Sequence, residues 1–190
     1  IRPDASDKVT GQANYGADIS LPRMLHGRVL RSDCAHARII NIDTSGAEKI
    51  DGVESVVTGQ DFAHLKPGGA GDIARDNLAI EKILFYGHAV AAVAAQTISI
   101  AEQALEAIKV EYEELEPIMD LDAAMADDVI LHDYEQDTSS NIFARDERSA
   151  GDLSMGFDDA DEVVELEYNT PTVHQGYIEP HACTASFNES

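Results

Sequence analysis

The run from Ala89 to Ala95 constrains the fold more than any other part of this 190-residue chain. Its residues are all small and apolar, which is typical of a central β-strand that is covered on both faces. The run is the longest apolar one in the chain, and it is far shorter than the roughly 20 apolar residues that cross a bilayer. The sequence therefore predicts a globular core built around this strand and no membrane span.

The segment that follows this strand predicts an amphipathic helix. Ala101, Ala104, Leu105 and Ile108 recur at the spacing of one helical face, and the positions between them are mostly charged or polar. Ser99 precedes this pattern and is the N-cap that we expect, because a serine hydroxyl can accept a hydrogen bond from the first turn.

Further strands and short helices are indicated on both sides of this pair. The predicted strands cover residues 25–30, 37–42, 53–58 and 109–115. Short helices are expected at residues 44–50, with Thr44 as N-cap, and at residues 61–65, followed by a loop at 66–71. This order predicts one α/β unit that ends near Pro117.

Acidic residues are concentrated in the second half of the chain. Residues 111–170 hold 20 acidic and two basic side chains, which accounts for −18 of the net charge of −23. Such a stretch is either a solvated connector or a docking strip for a basic face of a partner subunit. Nucleic acid is excluded as a ligand, because its binding depends on neutralisation of phosphates by Lys and Arg.

Two segments near the end of the chain resemble strands without neighbours. Residues 162–170 and 182–187 are rich in apolar and β-branched positions, and neither has a visible partner strand within the chain. We therefore expect them to be the first strands of a second domain. Ile1 in place of methionine adds the expectation that the chain is part of a longer protein.

The cysteines and the glycine-rich and acidic segments exclude several kinds of site. Cys34 and Cys183 fit neither a disulfide framework nor a zinc site, so we expect two small buried side chains in a cytoplasmic protein. No signal-peptide pattern follows Ile1. The glycines of residues 68–71 lack the lysine of a phosphate-binding loop, and residues 120–128 lack the glycine and glutamate of a calcium loop.

One group of imidazole and carboxylate side chains stands out, formed by His174, Glu179 and His181. A zinc site needs at least three converging ligands, and two histidines seven residues apart on a strand point to opposite faces. A packed or hydrogen-bonded role is therefore expected instead of a metal site.

Several blocks along the chain carry a resemblance to a known family. They are residues 7–19, 24–32, 35–39, 101–104, 110–113, 151–157 and 174–182, and they occur in the family's order and spacing. The chain resembles the N-terminal part of the molybdopterin-binding large subunit of the xanthine dehydrogenase/aldehyde oxidase family. One departure is Asp33-Cys34, where the family usually has a proline after Arg-Ser.

The resemblance implies a domain organisation and a set of cofactors. Residues 1–120 are expected to form an α/β (α+β) hammerhead domain of mixed sheet with short helices. Residues 121–160 would be an acidic connector, and residues 161–190 the start of the molybdopterin-binding domain. Enzymes of this family hydroxylate aldehydes or N-heterocycles such as purines with water-derived oxygen at molybdenum bound to molybdopterin. Electrons then pass through 2Fe-2S clusters, commonly to FAD.

The resemblance also limits what this chain contributes to such an enzyme. The expected partners are the remainder of the molybdenum subunit and the iron–sulfur and FAD subunits or domains. No catalytic residue, cofactor-binding residue or metal ligand is expected in this chain, which would be inactive alone. Tyr177, Glu179 and His181 mark the expected neighbourhood of the substrate pocket, unless this block is only a strand and turn between domains. The alternative function is a freestanding hammerhead-fold interaction or scaffold module.

Overall fold

The computed structural model describes residues 2–65, 77–132, 140–142 and 144–187. The strands are β1 (His26–Arg31), β2 (Ala37–Asp43), β3 (Val53–Thr58), β4 (Lys82–Ile83), β5 (Ala89–Ala95) and β6 (Lys109–Glu114). The α-helices are α1 (Ala5–Thr10), α2 (Ser45–Glu48), α3 (Ile98–Ala107), α4 (Leu121–Ala126) and α5 (Leu153–Asp158), with 3-10 helices at Gly16–Asp18 and Gly59–Phe62. The predicted α/β fold class is confirmed. The loop predicted at residues 66–71 lies outside the described residues.

Strand β5 is the centre of the first sheet, as its composition predicted. Strands β1 and β3 pair with it on either side, and both pairings are antiparallel. Five of its seven residues are buried, which is possible because its alanine and valine side chains are short enough for neighbours to approach on both faces.

Helix α3 covers this sheet with the face that the sequence indicated. Ala101 and Ala104 are fully buried and Ile108 nearly so, and they form one cluster with Val93 of β5. The charged positions between them are exposed. The 3.6-residue apolar period therefore orients the helix, with its alanines close against the strands.

The N-cap of α3 differs from the expected one. The Thr97 hydroxyl accepts a hydrogen bond from the backbone N–H of Ile100 at 3.2 Å, so Thr97 is the cap. Ser99 lies inside the helix, and the prediction that it caps the helix was wrong. Both residues carry a hydroxyl, and the extended backbone of Thr97 decides which hydroxyl reaches the first turn.

The second sheet has the order β4-β2-β6 and is also antiparallel. Where one mixed sheet was predicted, the described residues form two antiparallel sheets. Helix α3 connects β5 of the first sheet to β6 of the second, so it does not join two parallel strands within one sheet. Val90 of β5 packs with Ala37 and Ile83 of the second sheet, and the two sheets therefore share core residues.

Helix α2 forms where it was predicted, but Thr44 does not cap it through its side chain. The Thr44 hydroxyl donates to the Glu48 carboxylate at 2.6 Å. The Asp43 carboxylate accepts from the backbone N–H of Ser45 at 3.0 Å, and it supplies the side-chain acceptor that was expected from Thr44. The carboxylate is the stronger acceptor for that N–H.

The helix predicted at residues 61–65 is a 3-10 helix that begins two residues earlier, at Gly59. The Asp61 carboxylate accepts from the backbone N–H of Thr58 at 2.7 Å, which fixes the entry into the turn. Asp61 therefore acts from inside the helix as its third residue and does not start it.

The described part of the acidic stretch after β6 contains a helix and a hydrogen-bonded loop. Helix α4 begins it, and Asn141 then holds the following loop through its side-chain amide, which donates to the carbonyl oxygens of Ala124 at 3.1 Å and Val129 at 2.7 Å. The backbone N–H of Asn141 donates to the Asp127 carboxylate at 2.7 Å, and its side-chain oxygen accepts from Leu131 N–H at 2.9 Å. We call these four bonds the Asn141 clasp.

A buried lysine ties the same loop to the second sheet. The ammonium group of Lys82 in β4 donates to the carbonyl oxygens of Ile130 at 3.5 Å and Leu131 at 3.1 Å. These carbonyls accept hydrogen bonds from a cation that has little access to water.

The chain divides into two compact units. The sheet unit comprises Arg23–Arg145, and the terminal unit comprises Ile1–Pro22 together with Asp146–Ser190. The domain boundaries expected at residues 120 and 160 remain predictions.

In the terminal unit, every described residue from 146 to 187 is exposed to solvent. The strands predicted at residues 162–170 and 182–187 do not form within the described part of the chain, so that prediction was wrong for this structure. A strand requires a neighbour that accepts and donates backbone hydrogen bonds, and these segments have none in either sheet.

Candidate functional site

The residues of the expected pocket neighbourhood lie in the terminal unit, and two of them touch. The Tyr177 ring contacts two imidazoles, with its centroid 4.5 Å from that of His181 and 4.8 Å from that of His174. The first pair is edge-to-face and the second is tilted, both of which are favourable arrangements for rings. The structure thus joins Tyr177 and His181 and adds His174 to them.

The backbone at Gly176, between His174 and Tyr177, has a left-handed conformation. Gly176 has φ of 70°, in the left-handed region that glycine adopts without strain, and its N–H donates to His174 Nδ1 at 3.0 Å. The prediction that the two histidines point to opposite faces was wrong, because the segment is not a strand and both rings contact Tyr177. The neutral His174 ring carries its hydrogen on Nε2, since Nδ1 is the acceptor.

Glu179, the third predicted residue, contacts the beginning of the chain. The backbone N–H of Gly16 donates to Glu179 Oε1 at 3.4 Å, across 163 residues of sequence. Gly16 opens the 3-10 helix Gly16–Asp18, and the first N–H groups of a helix have no partner within it. A Cβ atom on Gly16 would lie 3.4 Å from the Cβ of Ala182, so the two segments approach closely. Sequence reasoning missed Gly16, and no local pattern points to it.

These four side chains are polar and exposed, and they do not surround a pocket. A phenol, two imidazoles and a carboxylate can all donate or accept hydrogen bonds, and all four are exposed. Within residues 2–65, 77–132, 140–142 and 144–187, no three His, Cys, Asp or Glu side chains converge as metal ligands would. These residues do not fit a molybdenum centre by themselves, and we assign no cofactor ligand to them.

The two cysteines differ from each other. Cys183 is exposed, so the prediction of a buried side chain was wrong for it, whereas Cys34 is partly buried. Burial, together with a hydrogen bond from the thiol to the Asp33 carboxylate, raises the pKa of Cys34. The thiol therefore stays protonated and is a poor nucleophile.

The nearby Tyr112 hydroxyl also has a raised pKa. Burial is the largest cause, the charges of Asp33 and Cys34 follow, and together they raise the pKa of Tyr112 to about 12.

Two buried histidines in the sheet unit were not indicated by the sequence. His36 Nδ1 lies 2.6 Å from the carbonyl oxygen of Glu116, so this nitrogen carries a hydrogen and donates it. His36 Nε2 is buried and has no partner among the described residues. The His88 ring stacks on Phe85 with centroids 4.5 Å apart. Both imidazoles hold loops against the sheets.

A surface cavity of about 370 Å³ opens between β2 and β3. Its apolar walls are formed by Ile39, Ile40, Ile42, Val56 and Ile80. Its rim carries two pairs of a hydroxyl and a carboxylate, which are Thr44 with Glu48 at 2.6 Å and Thr58 with Asp61 at 3.2 Å. None of the described residues that line it is basic. We call this cavity the β2–β3 cleft.

Across the described ranges, none of the helices has the length and apolar character that a membrane crossing requires.

Two family profiles match consecutive parts of the chain. That of the aldehyde oxidase and xanthine dehydrogenase a/b hammerhead domain matches residues 10–116. That of the molybdopterin cofactor-binding domain matches residues 132–190.

Curated relatives are similar in sequence to this chain over most of its length. A probable xanthine dehydrogenase protein of Bacillus subtilis is 41% identical over 180 residues, which are 94% of this chain and 24% of that protein. The nicotinate dehydrogenase large molybdopterin subunit of Eubacterium barkeri is 40% identical over 187 residues, which are 96% of this chain and 42% of that protein. The chain therefore spans less than half the length of these relatives.

Solved structures agree in fold. Quinoline 2-oxidoreductase from Pseudomonas putida 86 superposes with a TM-score of 0.63 at 35% identity, covering 70% of this chain and 18% of that one. A Cu,Mo-containing CO dehydrogenase in its carbon monoxide reduced state gives a TM-score of 0.61 at 33% identity, covering 76% of this chain and 19% of that one.

Proposed function

Because the chain belongs to the aldehyde oxidase and xanthine dehydrogenase family, we propose that it is the non-catalytic N-terminal portion of a molybdenum hydroxylase large subunit. The observation that carries this proposal is the pair of consecutive profile matches, which together take in most of the chain. The whole enzyme would be an oxidoreductase that hydroxylates aldehydes or N-heterocycles with water-derived oxygen. This portion supplies a folded hammerhead unit and the entry into the cofactor-binding domain.

The exposed segment at residues 162–170 is the surface that we assign to the rest of the same subunit. Val164, Leu166 and Tyr168 are 79%, 66% and 80% exposed, and they alternate with Glu165 and Glu167. An alternating segment of this kind places its apolar side chains on one face of a sheet and its charges on the other. Pairing with a strand from the remainder of the subunit would bury the apolar face.

Tyr177, Glu179 and His181 are proposed to border the substrate pocket once the rest of the subunit is present. The ring contacts of Tyr177 and the Gly16 hydrogen bond of Glu179 support the proposal, because they hold these groups in defined positions. Molybdenum bound to molybdopterin would supply the redox chemistry, and partner subunits or domains would supply 2Fe-2S clusters and FAD. The proposed compartment is the cytoplasm.

The experiment is purification from the native source through a tag at the beginning of the protein. Co-elution of molybdenum, iron and flavin is expected, with reduction of a dye acceptor when an aldehyde or an N-heterocycle is added. Residues 1–190 produced alone should show neither bound molybdenum nor dye reduction. A tagged protein that elutes as a colourless monomer with no partner would contradict the proposal and favour a freestanding scaffold module.

A further inference from the structure

We propose that the β2–β3 cleft is a docking groove for an extended, basic segment of another subunit of the enzyme complex. This inference rests on the proposed function, since it presumes an enzyme with several subunits. It assigns an interaction to the sheet unit, whereas the proposed function assigns only the pairing of the terminal unit.

The first support is that both strands at the cleft have a free edge. Strand β4 pairs with β2 at Ala37 and Arg38, the Ile39 N–H donates to the carbonyl oxygen of Glu81 at 2.8 Å, and the residues of β2 after Ile39 have no strand on that side among the described residues. Strand β3 is bonded to β5 alone within the same described part. Free strand edges present backbone N–H and C=O groups in the pattern that an added strand completes. The geometry of the cleft therefore selects an extended polypeptide.

The second support is an apolar anchor point beside the free edge of β2. The pairing of β2 with β6 is interrupted by a bulge between Ile39 and Asn41, and Ile40 at this bulge is 54% exposed. A bulge redirects side chains out of the regular alternation of a strand. Ile40 thereby joins Val56 in the wall of the cleft, where alternate side chains of an extended segment would contact them.

The third support is the charge of the rim. One oxygen of each carboxylate accepts from a threonine hydroxyl, and the other oxygen of Glu48 and of Asp61 bonds to no described residue. Neither carboxylate has an ion-pair partner in the described part of the chain. A lysine or arginine on the docked segment would pair with these oxygens, while an acidic segment would be repelled.

The occupant is assigned to another subunit for three reasons. Residues 111–170 of this chain hold 20 acidic and two basic side chains, so its own long acidic stretch is repelled by the rim. The segment at residues 162–170 already provides the surface for the rest of its own subunit. A related protein is also named as the gamma subunit of a 6-hydroxypseudooxynicotine dehydrogenase complex.

The test is carboxyl footprinting with a carbodiimide and glycine ethyl ester, read by mass spectrometry. Three samples are compared: residues 1–190, the complete molybdenum subunit and the assembled complex. We expect Glu48 and Asp61 to be labelled in the first two and roughly tenfold more slowly in the complex, because docking excludes water from their surroundings. Glu54 is the control, since it bonds to Gln96 at 2.8 Å and does not line the cleft.

Substitutions give a second readout on the same complex. The double variant Glu48→Gln with Asp61→Asn should weaken association of the subunits by about tenfold, as expected for the loss of close charge pairs. Glu54→Gln should leave the association unchanged.

A complex that forms with both cleft carboxylates fully labelled would overturn the inference while leaving the proposed function intact. Protection already present in the isolated molybdenum subunit would overturn the assignment to another subunit, and failure to form any complex would contradict the proposed function itself.

Discussion

The sheet unit and the terminal unit differ in where their apolar side chains lie. In the sheet unit, β5 and helix α3 bury theirs in a shared cluster. In the terminal unit, Leu166, Tyr168 and Ile178 are 66%, 80% and 98% exposed. Burial of apolar surface is the main favourable contribution to folding, so the first unit holds itself together and the second lacks that contribution. The comparison shows that the described residues of one unit form a buried core, while those of the other leave large apolar side chains exposed.

The largest expected effect comes from shortening one isoleucine in each unit. Ile83 is fully buried, so Ile83→Ala should lower the free energy of unfolding by about 2–5 kcal/mol through lost burial and a cavity. Ile178→Ala should change it by less than about 0.5 kcal/mol, because this side chain is exposed. Urea unfolding of residues 1–190 measures both. Equal effects of the two substitutions would break the comparison.

A second pair of substitutions tests how closely the sheet unit is packed. A Cβ atom on Gly59 would overlap the carbonyl oxygen of Ala79 and lie 2.8 Å from the Cα of Ile80. Gly59→Ala should therefore destabilise the unit by about 1–3 kcal/mol. Gly27→Ala is the control, since nothing lies within 4 Å of its added Cβ, and it should be neutral or slightly stabilising. Thermal unfolding followed by circular dichroism distinguishes them, and a tolerated Gly59→Ala would show that the packing at this position is loose.

A smaller effect is expected at the start of helix α3. Thr97→Ala removes the hydroxyl that accepts from the N–H of Ile100 and should cost about 1 kcal/mol. Ser99→Ala removes a hydroxyl inside the helix and should cost less, because alanine is the better helix former. The midpoints of chemical unfolding rank the two variants, and a larger loss for Ser99→Ala would contradict the assignment of the cap.

The smallest predicted effect is a local dependence on pH in the acidic part of the sheet unit. The N–H of Asn141 and the Ser140 hydroxyl hold the pKa of Asp127 below its usual value. A carboxyl with a lowered pKa in the folded state stabilises it above the unfolded pKa, so the Asn141 clasp is strengthened at pH 7 and weakens below roughly pH 4. The protection of the amides of residues 124–131, measured relative to their intrinsic exchange rates at each pH, should fall on acidification. Asp127→Asn should remove most of this difference; a variant that keeps it would place the titrating group elsewhere.

The sheet unit could be predicted in large part because its signals are local. The apolar run of β5 and the 3.6-residue period of α3 each determine an element without reference to distant residues. The choice between Thr97 and Ser99 as N-cap could not be made, since it depends on the backbone angle at one residue. The division into two antiparallel sheets depends on where α3 leads, which no local pattern states.

The candidate site was predictable only as a list of residues. The resemblance pointed to Tyr177, Glu179 and His181, but the contact of both histidine rings with Tyr177 was not foreseen. The contact of Glu179 with Gly16 joins positions 163 residues apart, beyond the reach of any spacing rule. The β2–β3 cleft was missed for the same reason, because its walls come from separate sheets.

Hydrogen exchange of residues 1–190, alone and with the remainder of the large subunit, tests the central contrast most directly. Residues 120–160 and 162–170 should exchange faster than β5 in the chain alone, because none of the described residues in these two ranges is buried. Protection of residues 162–170 should appear when the remainder is added, while β5 stays protected throughout. Slow exchange of residues 162–170 in the chain alone would contradict the account, since it would show that this segment already has its partner.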